Sequence, residues 1–131
     1  MVQLMRTMEL KNKTILVIDD STTNVVLLEA IFIEKGYNIE KALNAKDAFY
    51  IIEKNIPDLI LLDLLMPRYN GFDFLKEIKS IEKTCKIPIV VISAITDNEN
   101  IKKSMELGAS FFIKKPVDIP HLVNIAEKIL N

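Results

Sequence analysis

Asp58-Leu59-Ile60-Leu61-Leu62-Asp63 is the stretch on which the fold turns: four consecutive aliphatic residues closed by an acid at each end. A run this short and without alternation reads as a strand, Asp58 to Leu62, covered on both faces. The same signature recurs at Thr14 to Ile18, which Asp19-Asp20 closes, and at Pro88 to Ile92, which Ser93 closes. Asn38 to Ala42 and Ser110 to Ile113 are weaker versions. Helical spacing fills the gaps. Val25, Val26, Leu28, Ile31 and Phe32 recur at that spacing, and Gly36 supplies a stop. Asn44 can cap a helix carrying Ala48, Phe49, Ile51 and Ile52. Gly71 opens a segment with Phe72, Leu75 and Ile78 on one face and Phe74 beside them. Asp97 or Asn98 can cap the next, which carries Ile101 and Met105 and ends at Gly108. The last starts near Asp118 and buries Leu122, Ile125, Ala126 and Ile129; Pro120 is tolerated in its first turn. Strand and helix thus alternate five times, which predicts one α/β domain with a parallel sheet and helices on both faces.

Bulk properties narrow the function. The 131 residues suit one domain with one continuous core. Seventeen basic and eighteen acidic side chains leave a formal net charge of -1. That balance argues against a nucleic-acid or membrane surface. Cys85 is the single cysteine and cannot form an internal disulfide, so a reducing, cytoplasmic setting is expected. No apolar run approaches the roughly 20 residues that span a bilayer. Residues 1–12 read as a lead-in and 13–131 as the domain.

In such folds functional groups collect where strands end, at the switch point of the sheet. Asp19 and Asp20 follow the first strand, Asp63 the third, Ser93 the fourth and Lys115 the fifth. Two carboxylates about 4 Å apart repel by roughly 4 kcal/mol at an effective dielectric near 20. Three would cluster around a cation, or with raised pKa values. All-oxygen ligation with few protein carboxylates suits Mg²⁺ or Mn²⁺, ions that keep waters and bind phosphate oxygens. A carboxylate can itself attack phosphorus and form an aspartyl phosphate.

This pattern resembles the receiver domains of two-component response regulators over about Lys13 to Leu130. The motifs are the pair Asp19-Asp20, the run Leu61-Leu62-Asp63-Leu64-Leu65-Met66-Pro67 with Gly71 after it, Ser93-Ala94, and Lys115-Pro116. The resemblance implies a doubly wound (βα)5 domain with strand order 2-1-3-4-5. A chemotaxis member of that family is itself an example of the switch-point rule, so the rule is not independent support. Asp63 would be the phosphoacceptor. Asp20, Asp63 and the backbone carbonyl of Leu65 would bind Mg²⁺ or Mn²⁺ directly, with Asp19 acting mostly through water. Lys115 and Ser93 would grip the phosphoryl oxygens, a role not assigned to Lys114. Ser93 and Phe112 would form the switch, the ring turning inward as the hydroxyl moves. The donor would be a sensor histidine kinase or phosphotransfer protein, and the output an unspecified downstream protein. No enzyme activity is expected beyond the domain's own phosphotransfer and dephosphorylation, and no direct DNA binding.

Departures from the family carry expectations too. Leu65 and Ile95 stand where they flank the path of the hydrolytic water; being apolar, they cannot orient it, so slow self-dephosphorylation is expected. Val117 replaces a common Phe, and the last helix lacks an arginine-rich pattern, so a dimer through that face is not supported. The Lys115–Pro116 bond is expected cis. The chain contains no output domain. It therefore signals by binding a partner, or it is part of a longer regulator or hybrid kinase.

Two other readings fit parts of the pattern. Ser21-Thr22-Thr23 resembles a hydroxyl-rich phosphate loop of a flavodoxin-like module, but two acids precede it and the chain has no tryptophan. An aspartyl phosphohydrolase would place two acids one residue apart, whereas Asp19 and Asp20 are adjacent. Elsewhere the plain readings stand. His121 and Lys102-Lys103 read as solvated, Cys85 as inert, and Met105, Phe72 and Phe74 as core.

Overall fold

The computed structural model describes residues 13–66 and 68–131. The expected lead-in, residues 1–12, lies outside the described residues, as does Pro67. Five strands and five helices alternate: β1 (Thr14–Ile18), α1 (Thr22–Glu34), β2 (Asn38–Ala42), α2 (Ala45–Lys54), β3 (Leu59–Leu62), α3 (Gly71–Ser80), β4 (Ile89–Ser93), α4 (Asn98–Glu106), β5 (Phe111–Lys114) and α5 (Ile119–Leu130). All strand pairings are parallel, in the order β2-β1-β3-β4-β5. The order reverses between β1 and β3, which fixes the switch point there.

The period of two along each strand divides the core into two layers. Ile15, Val17, Leu59, Leu61, Val90, Ile92 and Ile113 pack under α1 and α5, meeting Val25, Leu28, Phe32, Leu122, Ile125 and Ala126. Leu16, Ile18, Ile60, Leu62, Ile89 and Val91 face the opposite way and meet Ala48 and Ile52 of α2 and Phe72, Phe74, Leu75 and Ile78 of α3. β3 is buried and apolar at every position, and β4 is buried throughout and apolar up to Ser93, its last residue.

Each helix starts on a side-chain cap. Ser21, Asn44, Asn70, Asp97 and Asp118 each accept a backbone N–H from the first turn. Gly71 has a steric reason as well. Its N–H donates to the Leu64 carbonyl at 3.1 Å, and an added Cβ would lie 2.6 Å from that oxygen.

Some details differ from the sequence reading. β3 starts at Leu59, not Asp58, and β4 and β5 each run one residue later than expected. Val26 is 52% exposed, because Val25, Leu28 and Phe32 already define the inward stripe of α1. Met105 is 42% exposed; Ser104 is the buried residue of α4, its hydroxyl donating to the Asn100 carbonyl. Among the described residues, no helix is long and apolar enough to cross a membrane.

Candidate functional site

The sheet ladder continues past the strand ends and places the chemical groups. Asp19 N–H donates to the Ala42 carbonyl at 3.1 Å, Asp63 N–H to Ile18 at 2.9 Å, and Lys115 N–H to Ser93 at 3.0 Å. Three loops are thereby tied to neighbouring strands at the residue that bears the functional side chain. The result is a rigid frame rather than a set of mobile loop residues.

Within this frame the ammonium of Lys115 bridges two carboxylates, 3.2 Å from Asp19 Oδ2 and 3.0 Å from Asp63 Oδ2. Asp19 and Asp63 are each only 5% exposed, whereas Asp20 is exposed. One carboxylate oxygen from each of the three acids lies within 4.8 Å of the others. The remaining oxygens take backbone donors: Asp63 Oδ1 accepts the Leu65 N–H at 3.0 Å, and Asp19 Oδ1 accepts the Ser21 N–H at 2.9 Å. Ser93 is fully buried at the end of β4, and its Oγ accepts the Ile95 N–H at 3.1 Å. Phe112 is half-buried against the α2–α3 side of the core, in register with Val91. Leu65 is 51% exposed, Ile95 is half-buried, and the Lys115–Pro116 bond is cis.

Electrostatics follow from burial and crowding. Burial pushes the Asp63 carboxyl above its ordinary value; the Leu65 N–H and Lys115 pull it back, and the Asp19 charge pushes it further up. Burial alone would lower Lys115, but its hydrogen bond to Asp63 and the charges of Asp63 and Asp19 hold it above its ordinary value. The ammonium therefore stays charged at neutral pH. It meets two of the three clustered acids with one positive charge, which leaves the pocket short of cation. An oxygen-only donor set with a surplus of negative charge fits a hard divalent ion. The acids, Ser93 and Lys115 all lie at the carboxyl edge of the sheet. Sequence reasoning missed Asn24, whose side-chain amide donates to Asp19 Oδ2 at 3.3 Å. Its signal was faint: a polar residue on the first turn of a helix that starts beside an acid.

A doubly wound sheet with three acids, a hydroxyl and a lysine at its switch point defines a class of phosphoryl-accepting signalling domain. The family model described as the response regulator receiver domain matches residues 15–127. The chain belongs to that family and is a phosphoacceptor receiver of two-component signalling. It is 34% identical over 119 residues to the sporulation initiation phosphotransferase F of Bacillus subtilis, covering 91% of this chain and 94% of that protein. It is 38% identical over 104 residues to the response regulator PleD of Caulobacter vibrioides, covering 79% of this chain but only 23% of PleD. A two-component response regulator from Clostridium difficile superposes with a TM-score of 0.86 at 28% identity, covering 91% of this chain and 96% of that one.

Proposed function

We propose that Asp63 is the residue that accepts the phosphoryl group, and that a sensor histidine kinase or phosphotransfer protein supplies it. The observation that carries this reading is the convergence of Asp19, Asp20, Asp63 and Lys115 on one strand edge, with Lys115 already touching Asp63. An Asp63 oxygen attacks the phosphorus of a phosphohistidine. A P–O bond forms, the P–N bond breaks, and the histidine nitrogen leaves with its electron pair. Lys115 turns from the carboxylates to the phosphoryl oxygens, and the Ser93 hydroxyl binds another of them. Asp20, Asp63 and the Leu65 carbonyl would hold Mg²⁺ or Mn²⁺, with Asp19 acting mostly through water; when bound, the ion would supply positive charge to offset that of the transferring oxygens.

Ser93 and Phe112 form the switch in this reading. The hydroxyl now occupied by the Ile95 N–H moves toward the phosphoryl group, and the half-buried ring of Phe112 follows into the space released. The face built by α4, β5 and α5 then presents a different surface to a downstream protein. Residues 13–131 act as the receiver unit after the 1–12 lead-in, in the cytoplasm, with no membrane or direct DNA contact. The domain promotes only its own phosphotransfer and dephosphorylation. The near-full-length likeness to a protein named as a phosphotransferase supports a relay role.

Incubation with acetyl phosphate, with and without Mg²⁺, followed by intact mass measurement, tests the reading. The expected result is one added phosphoryl group that requires Mg²⁺ and is absent in Asp63→Asn. A folded protein that gains no phosphoryl group, or an Asp63→Asn variant modified as readily as the wild type, would overturn it.

A further inference from the structure

Asp19 is held from three directions. Its Oδ1 accepts the Ser21 N–H at 2.9 Å, while its Oδ2 is shared between Lys115 Nζ at 3.2 Å and Asn24 Nδ2 at 3.3 Å. The Asn24 amide presents its nitrogen, since its oxygen would face a carboxylate. Asn24 itself is anchored, because its backbone N–H donates to the capping Ser21 Oγ at 3.3 Å. The one turn that begins α1 therefore supplies both neutral donors to Asp19.

These two donors matter when Lys115 leaves. In the function proposed above, Lys115 turns to the phosphoryl oxygens and gives up Asp19 Oδ2. A carboxylate that is 5% exposed cannot lose its cation without another donor in place. Asn24 is that donor, and as a neutral group it neither competes for the phosphoryl oxygens nor repels a divalent cation as an ammonium does.

We propose that Asn24 is a positioning residue of the acidic pocket, holding the Asp19 carboxylate in place independently of Lys115. The inference rests on the metal-binding reading of Asp19, Asp20 and Asp63. Partners that orient metal-site carboxylates typically carry 10- to 100-fold in affinity, about tenfold being expected for one long hydrogen bond.

Calorimetric titration of Mg²⁺ into the full chain provides the test. Asn24→Ala is expected to bind about tenfold more weakly than the wild type. Asn24→Leu, which keeps the volume but has no donor, is expected to lose as much, and Thr23→Ala on the same turn to lose nothing. Melting in EDTA reports folding, and the rise in Tm on adding Mg²⁺ is expected to shrink in both Asn24 variants. Wild-type affinity in Asn24→Leu would overturn the proposal, because volume rather than the amide would then suffice. Should Asn24→Ala fail to fold, the Leu variant alone decides. A wild type that binds no Mg²⁺ would instead remove the metal reading itself. A wild type that binds beside Asn24 variants that bind equally would remove only the role of Asn24.

Discussion

Lys79 and Lys115 are both half-buried, yet they are held in opposite ways. Lys79, in the last turn of α3, donates to the carbonyls of Cys85 at 3.2 Å and Ile87 at 2.5 Å. Burial pulls its pKa below the ordinary value. Lys115 faces carboxylates instead, and its pKa is held above the ordinary value although burial opposes it. Neutral carbonyls satisfy the ammonium hydrogens but do not replace the lost hydration of the charge; two carboxylates do. The first arrangement is a clamp on the chain that enters β4. The second is a counter-charge poised to be given to something else. The acids that bracket β3 repeat the contrast: Asp58 Oδ2 accepts the Thr14 N–H at 2.7 Å at the entry edge, while Asp63 meets Lys115 at the exit edge.

The comparison breaks most visibly if Lys115 is removed. Lys115→Met is expected to slow phosphoryl uptake from acetyl phosphate about a hundredfold, the scale for losing one preorganised charged donor. Mg²⁺ should bind more tightly, because a competing cation has gone. Time-resolved intact mass and calorimetry check the two effects. Wild-type uptake would reduce Lys115 to a clamp like Lys79.

A second expectation concerns water at the same edge. Leu65 and Ile95 follow Asp63 and Ser93 with apolar side chains, and their backbone N–H groups donate to the Asp63 carboxylate and the Ser93 hydroxyl. Leu65→Asn combined with Ile95→Glu is expected to shorten the phosphorylated lifetime several-fold, by orienting a water toward the acyl phosphate. Decay of the phosphorylated mass with time measures it, and an unchanged decay would count against the idea.

At the entry edge, stability should respond in place of chemistry. Lys79→Met leaves the Cys85 and Ile87 carbonyls without their donor and is expected to cost about 1–3 kcal/mol in denaturant unfolding. Phosphoryl uptake should match the wild type. Loss of uptake in a stable Lys79→Met protein would erase the distinction between the two lysines.

The sequence made the exit edge legible and the entry edge much less so. Fully buried strands must be apolar throughout, so the first polar residue after each run marks where the sheet ends; Asp19, Asp63 and Ser93 could be placed from that alone. Strand starts are blurred by residues such as Asp58, whose role is a hydrogen bond to a distant segment, and Pro88, which has no N–H to give. The exposed Val26 was hidden for another reason: α1 is apolar nearly all round, so periodicity could not choose its inward face. Asn24 and Lys79 act through side-chain contacts that depend on the folded path, and no spacing rule reveals them.

The smallest expected effect is also the most discriminating, because the two lysines should bend the alkaline stability curve in opposite directions. Both share an ordinary pKa of 10.5. For Lys115 the folded value is higher, so its contribution is fully present below 10.5 and is lost as pH rises through the folded value. For Lys79 the folded value is lower, so its contribution is present above 10.5 and is lost as pH falls through the folded value. Unfolding midpoints from about pH 8 to about pH 11 for the wild type, Lys79→Met and Lys115→Met separate the two. The gap between wild type and Lys79→Met should widen as pH approaches 10.5 from below. The gap between wild type and Lys115→Met should stay level up to 10.5 and narrow beyond it. Parallel curves would mean that the carboxylates around Lys115 do no more for its charge than the carbonyls do for Lys79, and the poised counter-charge would lose its physical basis.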